Sequence, residues 1–200
     1  MMIDSLDEIA NQTEEGYIPL IQGLLLSGIG MQMIGNSRPA SGAEHHLSHL
    51  WEMHLINKEV EALHGEKVGV GLILVADFYR TLLSFKEAPC FNELNLLDHA
   101  LLESYFKQLT PDVLKENHPD PLEAMTEDQF KIVYPEILQL ISELPSGDQF
   151  KQWIQAVGGK VTVQELGLPQ SIEELSLSLA PYVRGRLTLL RVMKRLQLKK

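Results

Sequence analysis

Helical spacing of the apolar residues is the sequence feature that most restricts the fold of this chain. Between Gly65 and Phe85, apolar residues stand at positions 68, 72, 75, 78, 79, 82 and 83, close to the repeat of about 3.6 residues of an α-helix. No convincing run of β-branched residues alternates with period two, the pattern typical of strands. The sequence therefore predicts an all-α protein, with short extended pieces only near residues 161–163.

Turn-forming residues divide this pattern into separate predicted helices. Thr126 and Gln129 have the spacing of a capping box, and Ser41 or Gly42 can cap another helix. The proline-containing segment 109–125 has room for at most a short helix. The predicted helices span residues 14–35, 42–57, 65–86, 94–108, 127–143, 147–157, 170–180 and 184–197. We expect one helical domain over residues 1–200, with a sub-boundary at 109–125.

The charge balance limits the expected partners. The 200 residues include 17 Lys or Arg and 27 Asp or Glu, which gives a net charge of −10. Such an acidic chain has no general affinity for nucleic acid or anionic lipid, so we expect neither as a partner. Segment 184–200 is locally basic, and we expect a final helix whose cations complement its own dipole and the acidic body. Docking of this segment to an acidic partner or to nucleic acid is the alternative.

The longest uncharged run, Tyr17 to Ser37, has about the length of a membrane span. Gln22, Gln32 and four glycines reduce its apolar character, and we expect a helix buried on most sides in a soluble core. The single Cys90 excludes a disulfide scaffold and points to a reducing compartment. The acidic, polar N-terminus does not resemble a signal peptide, so the expected location is the cytoplasm.

Histidines are concentrated in one short stretch. Of the seven in the chain, five lie between positions 45 and 64. On a helix, His45 and His49 or His46 and His49 present imidazoles on one face, and His64 at the start of the next helix can fold back against them. Such a set suits Zn²⁺, Ni²⁺ or Fe²⁺, although a histidine pair on a solvated face is the alternative interpretation. The five residues are His45, His46, His49, His54 and His64.

The loop before these histidines is a candidate anion site. Ser37 and Arg38 precede the N-terminus of the predicted helix 42–57. Free amides and a guanidinium can hold a phosphate there, beside the histidines. An arginine that only ties down a loop is an equally good interpretation. Ser48 is expected on the surface of the helix, because no nucleophile motif surrounds it.

Two segments resemble motifs of a known enzyme family. Ser37-Arg-Pro-Ala-Ser-Gly-Ala-Glu-His-His-Leu-Ser-His49 and His64-Gly-Glu-Lys-Val-Gly-Val-Gly71 are similar to the glycerol-1-phosphate dehydrogenase branch of the iron-containing alcohol dehydrogenase superfamily. The resemblance continues to Arg184-Gly-Arg-Leu-Thr188 and covers most of the chain. It implies the fold of the C-terminal helical, metal-binding domain of these and dehydroquinate synthase-like proteins. We expect the N-terminal α/β domain, which binds NAD(P) in that family, to be absent.

The resemblance also implies roles for individual residues. In the family an Asp and two His bind the metal. Matching the motifs makes His45 and His64 the expected ligands, with His46 as an alternative to His45. His49 corresponds to the catalytic histidine beside the substrate. The family's Asp lies in a Gly-Phe-Gly-Asp-like motif that does not occur in this sequence, so we expect the third ligand to be absent.

The implied function is the metal- and substrate-binding half of an NAD(P)-dependent oxidoreductase of phospholipid biosynthesis. Its reaction would interconvert dihydroxyacetone phosphate and sn-glycerol 1-phosphate, with His49, Ser37 and Arg38 contacting the phosphorylated polyol. We expect a divalent metal (Zn, Ni or Fe), and NAD(P) only if a partner nucleotide-binding domain supplies its site. Without that domain the chain should have little or no activity. The alternative is a non-catalytic helical scaffold or oligomerisation module that forms a homo-oligomer.

Overall fold

The computed structural model describes residues 2–92 and 99–198, and helices are its regular elements. No strand occurs in these ranges; the only β-type pairing described there is one antiparallel bridge between Phe91 and Leu196. The all-α prediction is confirmed, and residues 161–163 form no strand. The helices are α1 Leu6–Ala10, α2 Glu14–Ile34, α3 Ala43–Glu52, α4 His64–Arg80, α5 His99–Phe106, α6 Thr110–Glu116, α7 Glu127–Glu143, α8 Gly147–Ala156, α9 Ile172–Leu179 and α10 Leu189–Met193.

Most of the helix predictions agree with the structure within a few residues. The capping box is confirmed, because the Thr126 hydroxyl accepts from the Gln129 amide and the Gln129 side chain accepts in return. Gly42 and not Ser41 stands at the N-cap of α3. Segment 109–125 contains one short helix, α6. The predicted helix 94–108 is observed as α5, and residues 93–98 lie outside the described residues.

The prediction of a final helix over 184–197 is wrong in extent, because only α10 forms there. Gly185 packs so closely on the backbone carbonyl of Glu116 that a side chain would collide with it. Thr188 then has an extended backbone, and its hydroxyl accepts from the Arg191 amide to begin α10. Tertiary contacts therefore hold the first residues of this segment outside a helix.

Helix α4 lies at the centre of the packed part of the molecule. It packs against α3, α7, α8 and α10. One apolar cluster includes Leu47, Leu50 and Trp51 of α3, and a second includes Phe130 and Tyr134 of α7. Phe78 and Tyr79 of α4 border both clusters, so this helix joins them. The segment 109–125 contributes to both clusters, and the sub-boundary proposed there stays a prediction.

Helix α2 forms as predicted, but its predicted burial is wrong. Only 6% of its most apolar window is buried, and it is the one described helix long and apolar enough to cross a membrane. Among the described residues, its main neighbours are α1 and the two short turns at 3–5 and 38–40. Large apolar side chains such as Leu24, Leu25 and Met33 are therefore exposed. The apolar side chains of α2 lie on all of its faces, so their spacing does not show which face another element covers.

A buried ion pair fastens the C-terminal segment to the loop after α6. The Arg191 guanidinium donates from Nε to Asp120 Oδ1 (3.1 Å) and from Nη2 to Asp120 Oδ2 (2.8 Å). It also donates to Asn117 Oδ1 (2.6 Å) and to the carbonyl of Pro181 (2.8 Å). Both charged side chains are almost fully buried. This network holds residues 184–193 against the body of the protein.

Candidate metal centre

The close approach of α3 and α4 assembles the candidate site. A Cβ at Gly71 of α4 would lie 2.8 Å from the carbonyl oxygen of Glu44 in α3, so glycine lets the two helices pack at short distance. At the end of α3, the buried Trp51 donates from Nε1 to Ser176 Oγ of α9 (2.7 Å). These contacts fix the position of α3 relative to His64, the first residue of α4.

Three of the five clustered histidines come together. The ring centroids of His45 and His64 are 5.5 Å apart, those of His49 and His64 are 5.5 Å apart, and those of His45 and His49 are 6.3 Å apart. His64 is exposed, and His45 and His49 are half-buried. Two turns of α3 and the start of α4 therefore present three imidazoles at one accessible place, as the spacing predicted.

A carboxylate from the last turn of α3 joins these rings. Glu52 Oε1 lies 2.8 Å from His64 Nδ1, and Glu52 Oε2 lies 3.2 Å from His49 Nδ1. One ligand atom from each of His49, Glu52 and His64 lies within 4.8 Å of the other two. A tetrahedral zinc centre with an open position takes three ligands of these types. The donor set of this site fits a divalent metal.

The surroundings of Glu52 keep it ionised. Partial burial raises the pKa of this carboxyl, but hydrogen bonds from His64 and His49 and the nearby Lys67 ammonium outweigh burial. The pKa of Glu52 is therefore held below its ordinary value. Lys67 Nζ lies 3.7 Å from Glu52 Oε1, and the Ser48 hydroxyl donates to the same oxygen at 3.4 Å. An anionic Glu52 adds the negative charge that a divalent cation requires.

The hydrogen bonds to Glu52 also determine which histidine nitrogens are available. An ionised carboxylate only accepts, so His49 and His64 each carry a proton on the Nδ1 that faces it. In the neutral imidazoles, Nε2 then has its lone pair free for a metal. Carboxylates orient metal-binding histidines in this way in many proteins. Glu52 is thus suited to bind a metal directly or to orient two histidines that do.

The other residues of the histidine cluster lie elsewhere. His46 is buried, and neither of its ring nitrogens has a hydrogen-bond partner within the described structure. Burial lowers its pKa to about 4, so it is neutral near pH 7. His54 follows α3 and is exposed. The expectation that Ser48 lies on the helix surface is wrong: it is fully buried and contacts Glu52 and His64.

The predicted phosphate-contacting residues lie near the N-terminal end of α3. Ser37 precedes the short turn Arg38–Ala40, and the Ser37 hydroxyl accepts from Arg186 Nη2 at 3.2 Å. Arg38 is exposed beside Ser41 and Gly42. The loop therefore directly precedes the first turn of α3, the helix that carries His45 and His49.

Glu52 is the site residue absent from the sequence predictions. The resemblance places the family's carboxylate ligand in a separate motif, whereas the carboxylate near these histidines lies on α3, the helix of His45 and His49. Glu52 is three residues after His49 and seven after His45. Residues at these spacings share one face of a helix. The signal for Glu52 was therefore present in the spacing of α3.

Comparison with curated proteins identifies relatives of this chain. It is 33% identical over 190 residues to a glycerol-1-phosphate dehydrogenase [NAD(P)+] of Geobacillus stearothermophilus, an alignment that covers 94% of this chain. The enzyme of the same name from Bacillus subtilis (strain 168) is 31% identical over 192 residues. This chain is a homologue of the glycerol-1-phosphate dehydrogenases. A third relative of that name, from Thermofilum pendens, is 46% identical over 76 residues. No protein-family model matches the chain.

The homology covers only part of each relative. This chain spans 41% of the Geobacillus stearothermophilus protein and 39% of the Bacillus subtilis protein. The names of the relatives include NAD(P)+, and the glycines near the C-terminal end of α2 do not form a dinucleotide-binding motif. Gly28 and Gly30 lie inside α2 and Gly35 ends it, whereas dinucleotide sites place glycines between a strand and a helix.

Proposed function

We propose that this chain is the metal- and substrate-binding part of a glycerol-1-phosphate dehydrogenase-like oxidoreductase. The observation that carries the proposal is the meeting of His49, Glu52 and His64, with the His45 ring centroid 5.5 Å from that of His64, in a chain homologous to these enzymes over nearly its whole length. The substrate class is a phosphorylated polyol. NAD(P) would be held by a separate nucleotide-binding unit. The part of the relatives that this chain does not span is long enough to form such a unit. We propose the cytoplasm as the location of this protein.

Within this proposal, His45 and His64 hold a divalent cation and His49 faces the substrate. A bound cation would supply Lewis acidity toward the oxygen of the carbonyl or alcohol that reacts. Glu52 holds the protons of His49 and His64 on Nδ1 and takes the place of the missing carboxylate, either as a ligand or through those histidines. The hydroxyl of Ser48 and the ammonium of Lys67 fix the position of Glu52.

Calorimetric titration of Zn²⁺ into the full chain tests the site. We expect about one ion per chain, with affinity lost in H45A and H64A. Glu52→Gln keeps the size of the side chain, and loss of an orienting carboxylate weakens metal binding by about 10- to 100-fold. A larger loss would identify Glu52 as a direct ligand. His99→Ala, at the exposed start of α5, is the control. Unchanged stoichiometry and affinity in H64A would overturn the proposal.

Exposed apolar residues favour a second candidate function, a helical oligomerisation module without catalysis. Helix α2 carries nine of the twenty large exposed apolar side chains of the described residues, and patches of this kind mark interaction surfaces. This candidate predicts self-association through α2 and no stoichiometric metal. A bound metal at one ion per chain would count against it.

A further inference from the structure

Glu44 lies in the first turn of α3 and contacts one of the proposed metal ligands. Its Oε1 is 3.0 Å from Nδ1 of His45. The same oxygen accepts a hydrogen bond from the Gly42 amide at 2.6 Å. Because a carboxylate only accepts, the proton between the two side chains belongs to Nδ1 of His45. Nε2, on the other side of the ring, then keeps its lone pair free.

This contact is the most sheltered of the carboxylate–imidazole contacts described at the site. The side chains of Glu44 and His45 are 20% and 23% exposed. Those of Glu52 and His49 are 30% and 35% exposed, and that of His64 is 48% exposed. A charge-assisted hydrogen bond is stronger where less water surrounds it. Glu44 therefore restrains its histidine more firmly than Glu52 restrains the other two.

Two glycines hold Glu44 in this position. Gly71 of α4 fixes its backbone, because a Cβ there would lie 2.8 Å from the Glu44 carbonyl oxygen. A Cβ at Gly42 would lie 2.8 Å from Oε2 of Glu44, so the bare Gly42 lets the carboxylate fold back over the start of α3. The φ of Gly42 is −103°, outside the left-handed region that favours glycine. The close approach of the carboxylate therefore explains the glycine at this position.

We propose that Glu44 is a positioning residue that leaves Nε2 of His45 for the cation, and that Gly42 makes room for its carboxylate. The inference rests on the proposed function for the role of His45 as a ligand. A carboxylate on the second nitrogen of a metal-bound histidine fixes its tautomer and orientation and raises its basicity. The contact also favours His45 over His46, because His46 is buried and neither of its ring nitrogens has a hydrogen-bond partner in the described structure.

Nitrogen NMR of the imidazoles in the metal-free full chain tests the tautomer. At about pH 8, where exposed imidazoles are neutral, we expect the proton of His45 on Nδ1, with its signals identified by their loss in His45→Ala. In Glu44→Ala the proton should shift toward Nε2. Glu61→Gln removes a charge from an exposed carboxylate three residues before His64 and should leave the tautomer of His45 unchanged.

Calorimetric titration with Zn²⁺ measures the consequence for metal binding. Glu44→Ala should raise the Kd by about 10- to 100-fold. Glu44→Gln keeps an acceptor oxygen without the charge and should have a smaller effect. Gly42→Ala should displace the carboxylate and also raise the Kd, but it should add nothing to Glu44→Ala in the double variant, because both changes remove the same contact. Glu61→Gln should bind Zn²⁺ as the wild type does.

The outcomes separate positioning of His45 from simple capping of α3. Circular dichroism establishes that each variant is folded. A Glu44→Ala chain that loses stability in urea but keeps the wild-type tautomer and Zn²⁺ affinity would overturn the inference. Additive effects of Gly42→Ala and Glu44→Ala on the Kd would overturn the role of Gly42. If the wild-type chain binds no Zn²⁺, the proposed function fails, and the tautomer alone decides whether Glu44 orients His45.

Discussion

At the scale of single residues, the buried pair of Arg191 and Asp120 makes the sharpest stability prediction. Asp120→Asn keeps the shape of the side chain but leaves the Arg191 charge buried without a counter-charge. Breaking such a pair from one side costs about 3–5 kcal/mol, and urea denaturation should show a loss of that size. Asp148→Asn removes a carboxylate from an exposed pair with Lys151, which contributes little. Equal free energies of unfolding for the two variants would contradict this account.

The buried His46 should lower the free energy of unfolding in mild acid. Its pKa in the folded protein is about 4, lowered first by burial and then by the charge of Arg186, although Glu44 acts in the opposite direction. The unfolded chain has the ordinary histidine pKa of about 6.5, so protonation favours unfolding. The stability is complete above pH 6.5 and falls as the pH drops toward 4. From pH 7 to pH 5 we expect a loss of about 2 kcal/mol.

His46→Leu isolates this contribution. In urea denaturation at pH 7 and pH 5, the variant should lose about 2 kcal/mol less than the wild type over this range. His99→Leu replaces an exposed histidine and should behave as the wild type does. Above pH 5 the carboxyl groups with lowered pKa values remain ionised, so they do not mask the difference. A wild-type chain with equal stability at both pH values would refute the prediction.

The sequence predicted the histidines of the site better than their environment. The spacing of His45 and His49 and the place of His64 were sufficient to bring three rings together. The burial of His46 and Ser48 was not foreseeable, because helical spacing alone does not show which face another element covers. Arg186 could not be connected with Ser37 either, since their contact joins segments 149 positions apart.

At the scale of secondary-structure elements, the sequence predicted the helices that begin at local caps. It did not predict the extent of α10 or the exposure of α2. Helix α7 begins at its capping box because a local pair of side chains satisfies its first amides. Helix α10 is shorter than its basic, apolar sequence suggests, because Gly185 packs on the Glu116 carbonyl and Arg191 binds Asp120. Helix α2 has the predicted ends, yet the partner that would bury it is not among the described elements.

The exposed face of α2 predicts self-association of the isolated chain. Large contiguous apolar surfaces are rarely left in water, so light scattering after size-exclusion chromatography should show a mass that rises with concentration. Leu25→Glu places a charge on this face and should lower the fraction associated at a given concentration. Gln32→Glu adds the same charge at an exposed polar position of the same helix and should have a smaller effect. A wild-type chain that stays monomeric at all concentrations would exclude the second candidate function.

At the scale of the whole molecule, the chain has a cluster of histidines with Glu52 and an exposed apolar helix, and it spans about two fifths of the length of its relatives. Under the proposed function, the apolar face of α2 is a surface that can pack against a nucleotide-binding unit. Under the proposed function, catalysis then requires both parts together, because hydride transfer needs NAD(P) beside the substrate.

Complementation tests this view of the assembly. The part of the Geobacillus stearothermophilus relative that this chain does not span is purified separately and mixed with the full chain and a divalent metal. We expect reduction of NAD(P) with glycerol 1-phosphate in the mixture, and only background rates in either component alone. His64→Ala should abolish the increase in the rate of NAD(P) reduction. Leu25→Glu should raise the concentration of chain at which half of the maximal rate is reached. His99→Ala should change neither quantity. A mixture that remains at background, together with no stoichiometric metal binding and wild-type self-association through α2, would favour the oligomerisation module.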